Sequence, residues 1–355
     1  MNQRTLHFLG SLLVLAIFCG SAWLLYGQLQ KYNLHDVLDS LRQVPYSHVL
    51  LAIALTHLNY GVLVVYDYLA FRFAGVTVSW VRVAFAAFTT YAISYNFGAT
   101  AAGIPLRYRI YSSWGIPITK IVQLLVILAL TFWFGVFALA GTLFVFAPLR
   151  IPADALREIS GSMAGKGISN HVIAWFQFLF ADSRLFGFVL LTLACLYVGA
   201  SALHSGEIRI LRWKLPVPPL KLTLYQIAIA AADMLVAGWV LYVLFPRVHG
   251  GYLTVLAVYL VAYVLVVLSH VPGGWGVLEY VILTLFDSLQ LVADPAANLP
   301  KVVAALVIFR VIYYLVPLLF ALMLFGGHEL ALRGKMISEI EPSLDPGATD
   351  GGKTK

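Results

Sequence analysis

The chain carries little charge and almost no cysteine. Lys, Arg, Asp and Glu together make up 11% of its 355 residues, and its two cysteines, Cys19 and Cys195, both lie inside apolar runs. Such a pair offers no disulfide framework and no thiolate metal spacing, and it leaves the redox compartment open. Also missing are a Gly-x-x-x-x-Gly-Lys phosphate loop, Gly-x-Ser-x-Gly, His-Glu-x-x-His and Cys-x-x-Cys. Without them, ATP-driven work by this chain alone and the common hydrolase chemistries have no support. No metal or cofactor is expected. The scarcity of charge also excludes an ordinary soluble globule, and no stretch has the size and polarity of a separate soluble domain.

What the chain has instead is apolar residues, at 61% of the total, with a mean hydropathy of +0.89. The expected fold is an all-α polytopic integral membrane protein with about seven to nine hydrophobic segments. Residues 1–327 read as one transmembrane domain and 328–355 as a polar cytoplasmic tail. Residues 5–30 form a first span. Phe18 before Cys19 is too large for a lipoprotein cleavage site, so this span reads as retained rather than as a signal peptide. Residues 33–48 carry Leu34, Val37, Leu38 and Leu41 at helical spacing, which predicts an amphipathic helix along the interface. Residues 150–184 read as an extramembrane loop. The net charge of +7 comes from basic residues in short connectors. That pattern suits orientation in an anionic membrane and not nucleic-acid binding.

Two stretches break the apolar runs. Around 269–280, Pro272, Gly273, Gly274 and Gly276 punctuate the chain before Glu279. Around 91–105, Gly98, Gly103 and Pro105 do the same. Irregular backbone at membrane depth needs protein or a water-filled cavity around it, and transporters build substrate sites from such interruptions. A short surface loop is the plainer reading of each. Lysines and arginines gather on the cytoplasmic side only if residues 83–106 dip and return or cross twice. With both termini cytoplasmic, one interrupted element would then enter from each face.

Ionisable residues inside apolar runs tend to pair or to line a cavity. Glu279 sits in the first turn of a helix, and Arg310 lies within the last span with Tyr313 and Tyr314 on one face, so Glu279 and Arg310 are expected to pair as a gate or as a plain structural ion pair. Asp233 has no evident local partner and could titrate a proton or take an interhelical hydrogen bond. His57 and His270 are either core histidines or functional ones, His270 being a second candidate for proton titration. Arg107 and Arg109, interleaved with Tyr108 and Tyr111, suit a phosphate through their forked guanidinium groups. They also suit a simple positive-inside anchor.

Three motifs fall together: Tyr95-Asn-Phe-Gly through Pro105-Leu-Arg-Tyr-Arg-Ile-Tyr111, Val271-Pro-Gly-Gly-Trp-Gly-Val-Leu-Glu279, and Phe309-Arg-Val-Ile-Tyr-Tyr-Leu-Val-Pro317. In order and spacing they resemble the lysylphosphatidylglycerol synthase transmembrane family, over about residues 5–330. That family includes the flippase half of the bacterial multiple peptide resistance factor and its stand-alone relatives. The resemblance implies a bacterial inner-membrane protein that moves a phospholipid, aminoacyl-lipid or glycolipid between leaflets. Arg107 and Arg109 would take the headgroup phosphate, and Tyr91, Tyr95, Asn96 and Trp275 would line the path. Only about 28 residues follow Gly327, too few for a synthase domain, so synthesis of an aminoacyl lipid is not expected. With no catalytic motif the chain reads as a non-enzyme, an intramembrane transferase being the alternative. The implied partners are a membrane lipid and a separate lipid-modifying enzyme. The alternatives are a small-solute or ion secondary transporter and an accessory subunit of a lipid-modifying enzyme.

Overall fold

Backbone donors and acceptors find no water in hydrocarbon, and long uncharged runs satisfy them by coiling. The computed structural model describes residues 34–165, 182–203, 206–210 and 213–340, with a few positions between 171 and 180. The expected first span at 5–30, with Cys19, and the end of the tail at 341–355 lie outside the described residues. The helices are α1 (Leu34–Gln43), α2 (Tyr46–Phe73), α3 (Trp80–Phe97), α4 (Ile104–Ser113), α5 (Ile118–Phe146), α6 (Ala153–Gly165) and α7 (Ser183–Leu203). A two-stranded antiparallel ribbon follows, β1 (Gly206–Ile210) with β2 (Trp213–Val217). The chain then continues through α8 (Leu220–Leu244), α9 (Gly251–Ser269), α10 (Val277–Ser288), α11 (Pro295–Phe309) and α12 (Val316–Ile340). Among the described residues, six helices are long and apolar enough to cross a membrane: α2, α5, α7, α8, α9 and the composite Asn298–Glu329. The protein is an all-α polytopic membrane protein.

Prolines start three of the long helices. Pro45, Pro117 and Pro219 stand in extended backbone immediately before α2, α5 and α8, where no intrahelical donor is lost. The long helices alternate in direction. Lys120 Nζ donates to the Ala74 carbonyl at 2.8 Å, and the Tyr66 hydroxyl donates to the Leu128 carbonyl, so α5 runs back along α2. Gly141 lies against the backbone at Gly187 and Leu191, and Phe134 stacks on Tyr197, which runs α7 back along α5. Small residues permit this close approach. Thr223 donates to Ser201 at the ribbon end, so α8 runs back along α7. The end of α8 is therefore at the opposite end of the bundle from the end of α2.

Each interrupted stretch is a helical hairpin. In the first, α3 stops at Gly98, whose φ of +89° no helix uses. A π-helical turn (Ala99–Gly103) then leads into α4, which returns along α3. Gly103 backs onto Ser94, Arg107 lies over the Tyr91 ring, and Arg82 reaches the Trp114 ring. In the second, α9 ends at His270 in the left-handed region (φ +51°), a 3₁₀ turn (Pro272–Gly274) reverses the chain, and α10 returns. His249 N donates to the Leu291 carbonyl at 2.8 Å and closes the base. The first base lies at the end of α2 and the second at the end of α8, so the hairpins enter from opposite ends of the bundle. Their tips meet: a Cβ on Gly273 would lie 2.5 Å from the Asn96 carbonyl oxygen.

The last membrane helix runs alongside both hairpins. Its start lies near the second base, while Glu329 and His328 touch Arg109 and Phe85 beside the first. Between α11 and α12 it loosens into a π-helical segment (Arg310–Leu315) at the level of the tips. At about 1.5 Å per residue, the tips lie roughly 20–25 Å from either base.

Several expectations change. The loop expected at 150–184 contains α6, whose Ala155, Leu156 and Ile159 are buried, and α6 packs on α10. One of the short basic connectors, with Arg209 and Lys214, forms the β1–β2 ribbon. The tail begins inside α12, which continues to Ile340 because 328–340 holds good helix formers after the apolar run. Gly103 and Pro105 are not break points. Gly103 has helical backbone and is small because Ser94 is close, and Pro105 sits in the first turn of α4. The amphipathic helix predicted at 33–48 is α1, and its Val37 is buried against Val303 and Ala304 of α11.

Candidate functional site

Three buried polar clusters follow one another through the bundle. The first clamps hairpin one. Asp67 on α2 is wholly buried and receives both terminal nitrogens of Arg107 from α4. Arg107 also donates to the Tyr111 hydroxyl at 2.7 Å, and Tyr91 donates to Asp67 at 3.0 Å. The Arg107 guanidinium lies 4.7 Å from the centre of the Tyr91 ring.

The second clamps hairpin two. Arg310 opens the π-helical segment and is fully buried. Its Nε donates to Glu279 at 2.5 Å and its Nη2 to the same carboxylate at 3.2 Å. The fork continues to the tip, donating to the Gly273 carbonyl at 2.8 Å and to the Gly274 carbonyl at 3.1 Å. Trp275 and Tyr314 sandwich the guanidinium at 4.5 and 4.4 Å. Glu279 also accepts from Gly276 N at 2.9 Å, closing the first turn of α10. Every acceptor freed by the glycine turn and facing this arginine is thus used. Removing one partner of such a buried pair leaves an uncompensated charge, at a cost of about 3–5 kcal/mol.

The third cluster lies between them. Asn59 of α2 donates to Asp233 of α8 at 2.6 Å and to the Tyr313 hydroxyl at 3.0 Å. Tyr60 donates to the Tyr313 carbonyl, which the π-helical segment leaves available, and Asn96 donates to the Tyr314 carbonyl at 3.2 Å. Tyr95 stacks on Tyr313 with ring centres 5.7 Å apart. Four buried atoms in this region lack a hydrogen-bond partner: Asn59 Oδ1, Asp233 Oδ2, Asn96 Oδ1 and Trp275 Nε1.

The sequence-predicted residues divide accordingly. Glu279 and Arg310 are in contact, with Tyr314 beside them and Tyr313 facing the centre. Tyr91, Tyr95, Asn96 and Trp275 all turn inward. Arg107 is buried, with its fork taken by Asp67, whereas an open mouth was expected of it. Arg109 is exposed, pairs with Glu329 through both nitrogens, and lines an open cleft of about 350 Å³ with Tyr108, Ser112 and Ser113. Asp233 has a partner after all, Asn59, 174 positions away. His270 and His57 are exposed, each turned to a backbone carbonyl of its own helix, and neither joins the clusters. Sequence reasoning missed Asp67, Asn59 and Glu329. Asp67 had a signal, as a carboxylate in line with an apolar run. No group of three or more metal-ligating side chains occurs among the described residues.

Six candidate spans, two inward hairpins and buried charge clusters define a polytopic membrane protein with an interrupted interior. The chain is 31% identical to the uncharacterized protein slr0712 of Synechocystis sp. over 316 residues, 88% of this chain and 89% of that one, and it belongs to the same family. It is 28% identical to the inner membrane protein YbhN of Escherichia coli over 294 residues, covering 82% of this chain and 84% of that protein. It is also 29% identical, over 102 residues, to a phosphatidylglycerol lysyltransferase of Staphylococcus epidermidis, a match to 28% of this chain and 11% of the enzyme. No protein-family model matches the chain.

Proposed function

We propose that this protein moves a lipid with a polar, phosphate-bearing headgroup between the leaflets of a bacterial inner membrane, with both termini cytoplasmic. The observation that carries the reading is the tip-to-tip meeting of two hairpins from opposite ends, one tied by Asn96 and the other by Arg310 to the same π-helical segment. The barrier to lipid flipping is desolvation of the headgroup, since the tails can stay in hydrocarbon. A seam of glycine carbonyls, arginines and tyrosines across the middle of the bundle offers substitutes for lost water. Three further points support it: the motif resemblance to the lysylphosphatidylglycerol synthase transmembrane family, the partial similarity to enzymes named for phosphatidylglycerol, and a relative named as an inner membrane protein.

In this reading Arg109 meets the phosphate first, in the cleft it shares with Ser112 and Ser113, and Glu329 yields to it. Guanidinium forks favour phosphate bidentately. Arg107 follows when hairpin one swings away from Asp67. Trp275 and Asn96 supply polar edges at the seam. The chain itself makes and breaks no covalent bond, and a separate lipid-modifying enzyme supplies or uses the lipid.

Reconstitution tests this. Purified protein in liposomes with a fluorescent phosphatidylglycerol is expected to speed its loss to an impermeant quencher, and Arg109→Gln to slow that loss severalfold. Folded protein that leaves the exchange of several headgroups at the protein-free rate contradicts the reading. Uptake of a water-soluble solute instead would favour a small-solute carrier.

A further inference from the structure

Among the described residues, Asp233 is the one buried acid in the two-hairpin core that no cation answers. Arg107 is taken by Asp67 and Arg310 by Glu279. Asp233 is 2% exposed, and its single hydrogen bond comes from Asn59 to Oδ1, leaving Oδ2 buried without a donor. The ionisable groups near enough to feel its charge are tyrosines: Tyr60 and Tyr66 from α2, Tyr91 and Tyr95 from α3, Tyr259 and Tyr263 from α9, and Tyr313 from the π-helical segment. A negative charge here would be buried with one amide to answer it.

We propose that Asp233 is a proton-binding site, loaded while the hairpin tips meet and emptied when they part. The proton sits on Oδ2. Parting of the tips exposes the acid to water, which takes the proton, and the resulting carboxylate holds the centre open until it is protonated again. Asn59 is the positioning residue: it holds Oδ1 and links it to Tyr313, beside Tyr314, whose carbonyl binds the first tip, and in the same segment as Arg310, which binds the second. The link joins Asp233 by hydrogen bonds to Tyr313, in the same π-helical segment that both tips bind. Coupling of this proton to lipid movement rests on the reading above; the binding of the proton does not.

Infrared spectra of the reconstituted protein across a pH series provide the test. The wild type is expected to show a protonated-carboxyl stretch at neutral pH that Asp233→Asn removes, while Asp67→Asn and Glu279→Gln retain it. A wild-type spectrum without that band, a band that survives Asp233→Asn, or a band displaced by sodium at fixed pH overturns the site. Matched thermal melting of Asp233→Asn and the wild type shows that the variant is folded. In lipid-exchange liposomes an imposed pH gradient is expected to change the wild-type rate severalfold and the Asp233→Asn rate not at all. Exchange that ignores the gradient overturns the coupling. Absence of exchange together with an Asp233-dependent band overturns the lipid reading and leaves the proton site standing.

Discussion

Arg310 makes four hydrogen bonds with one side chain, two to Glu279 and two to the carbonyls of Gly273 and Gly274. Only a planar fork can serve all four at once, because a lysine is a point charge on a flexible stem. Arg310→Lys keeps the charge but leaves buried carbonyl acceptors unsatisfied, and is therefore expected to cost about 1–3 kcal/mol. It should appear as a clear drop in melting temperature in detergent. Exchanging the charges, Glu279→Arg with Arg310→Glu, would rescue a simple ion pair. Here it would aim a carboxylate at two glycine carbonyls, so the double variant is expected to melt no higher than the worse single one. A double variant as stable as the wild type would show that the carbonyl bonds contribute nothing.

At the scale of elements, the hairpins depend on close backbone approach. Gly103 has ordinary helical dihedrals, so the reason for glycine there is Ser94 on the opposite arm. Gly103→Ala is expected to lower the melting temperature by pushing the arms apart. Ser94→Ala in the same chain should recover most of the loss, with a coupling of about 0.5–3 kcal/mol for residues in contact. Additive effects would mean that the arms do not touch there.

These elements also show what a linear reading can and cannot reach. The second hairpin was legible because Pro272, Gly273, Gly274 and Gly276 announce dihedrals that a helix excludes, and Glu279 follows where a first-turn acid belongs. In the first, only Gly98 is a true break. Gly103 and Pro105 carry the same letters for other reasons, one for packing and one as a helix start. The Asp67–Arg107 and Asn59–Asp233 contacts were hidden because they join helices distant in sequence, and helical spacing reveals neighbours on one helix only. The helix at Ala153–Gly165 was obscured by its glycines, although Ala155, Leu156 and Ile159 share a face at the right intervals.

Taken whole, the molecule is a frame of long helices holding two hairpins whose tips touch near mid-depth. Each tip is tied to the same loosened segment of the last membrane helix, hairpin one through Asn96 and hairpin two through Arg310. Movement of either tip must therefore disturb the other, which is the coupling that the proposed alternate opening from the two ends needs. It requires the two bases to face opposite sides of the membrane. Ser112 and Gln290 are exposed near the respective bases. Ser112→Cys and Gln290→Cys, each in a chain with Cys19 and Cys195 replaced by serine, can be probed with an impermeant maleimide on intact cells and on inverted vesicles. With the proposed cytoplasmic termini, Gln290→Cys is expected to label only on intact cells and Ser112→Cys only on inverted vesicles; labelling of both from the same side would contradict the opposed bases.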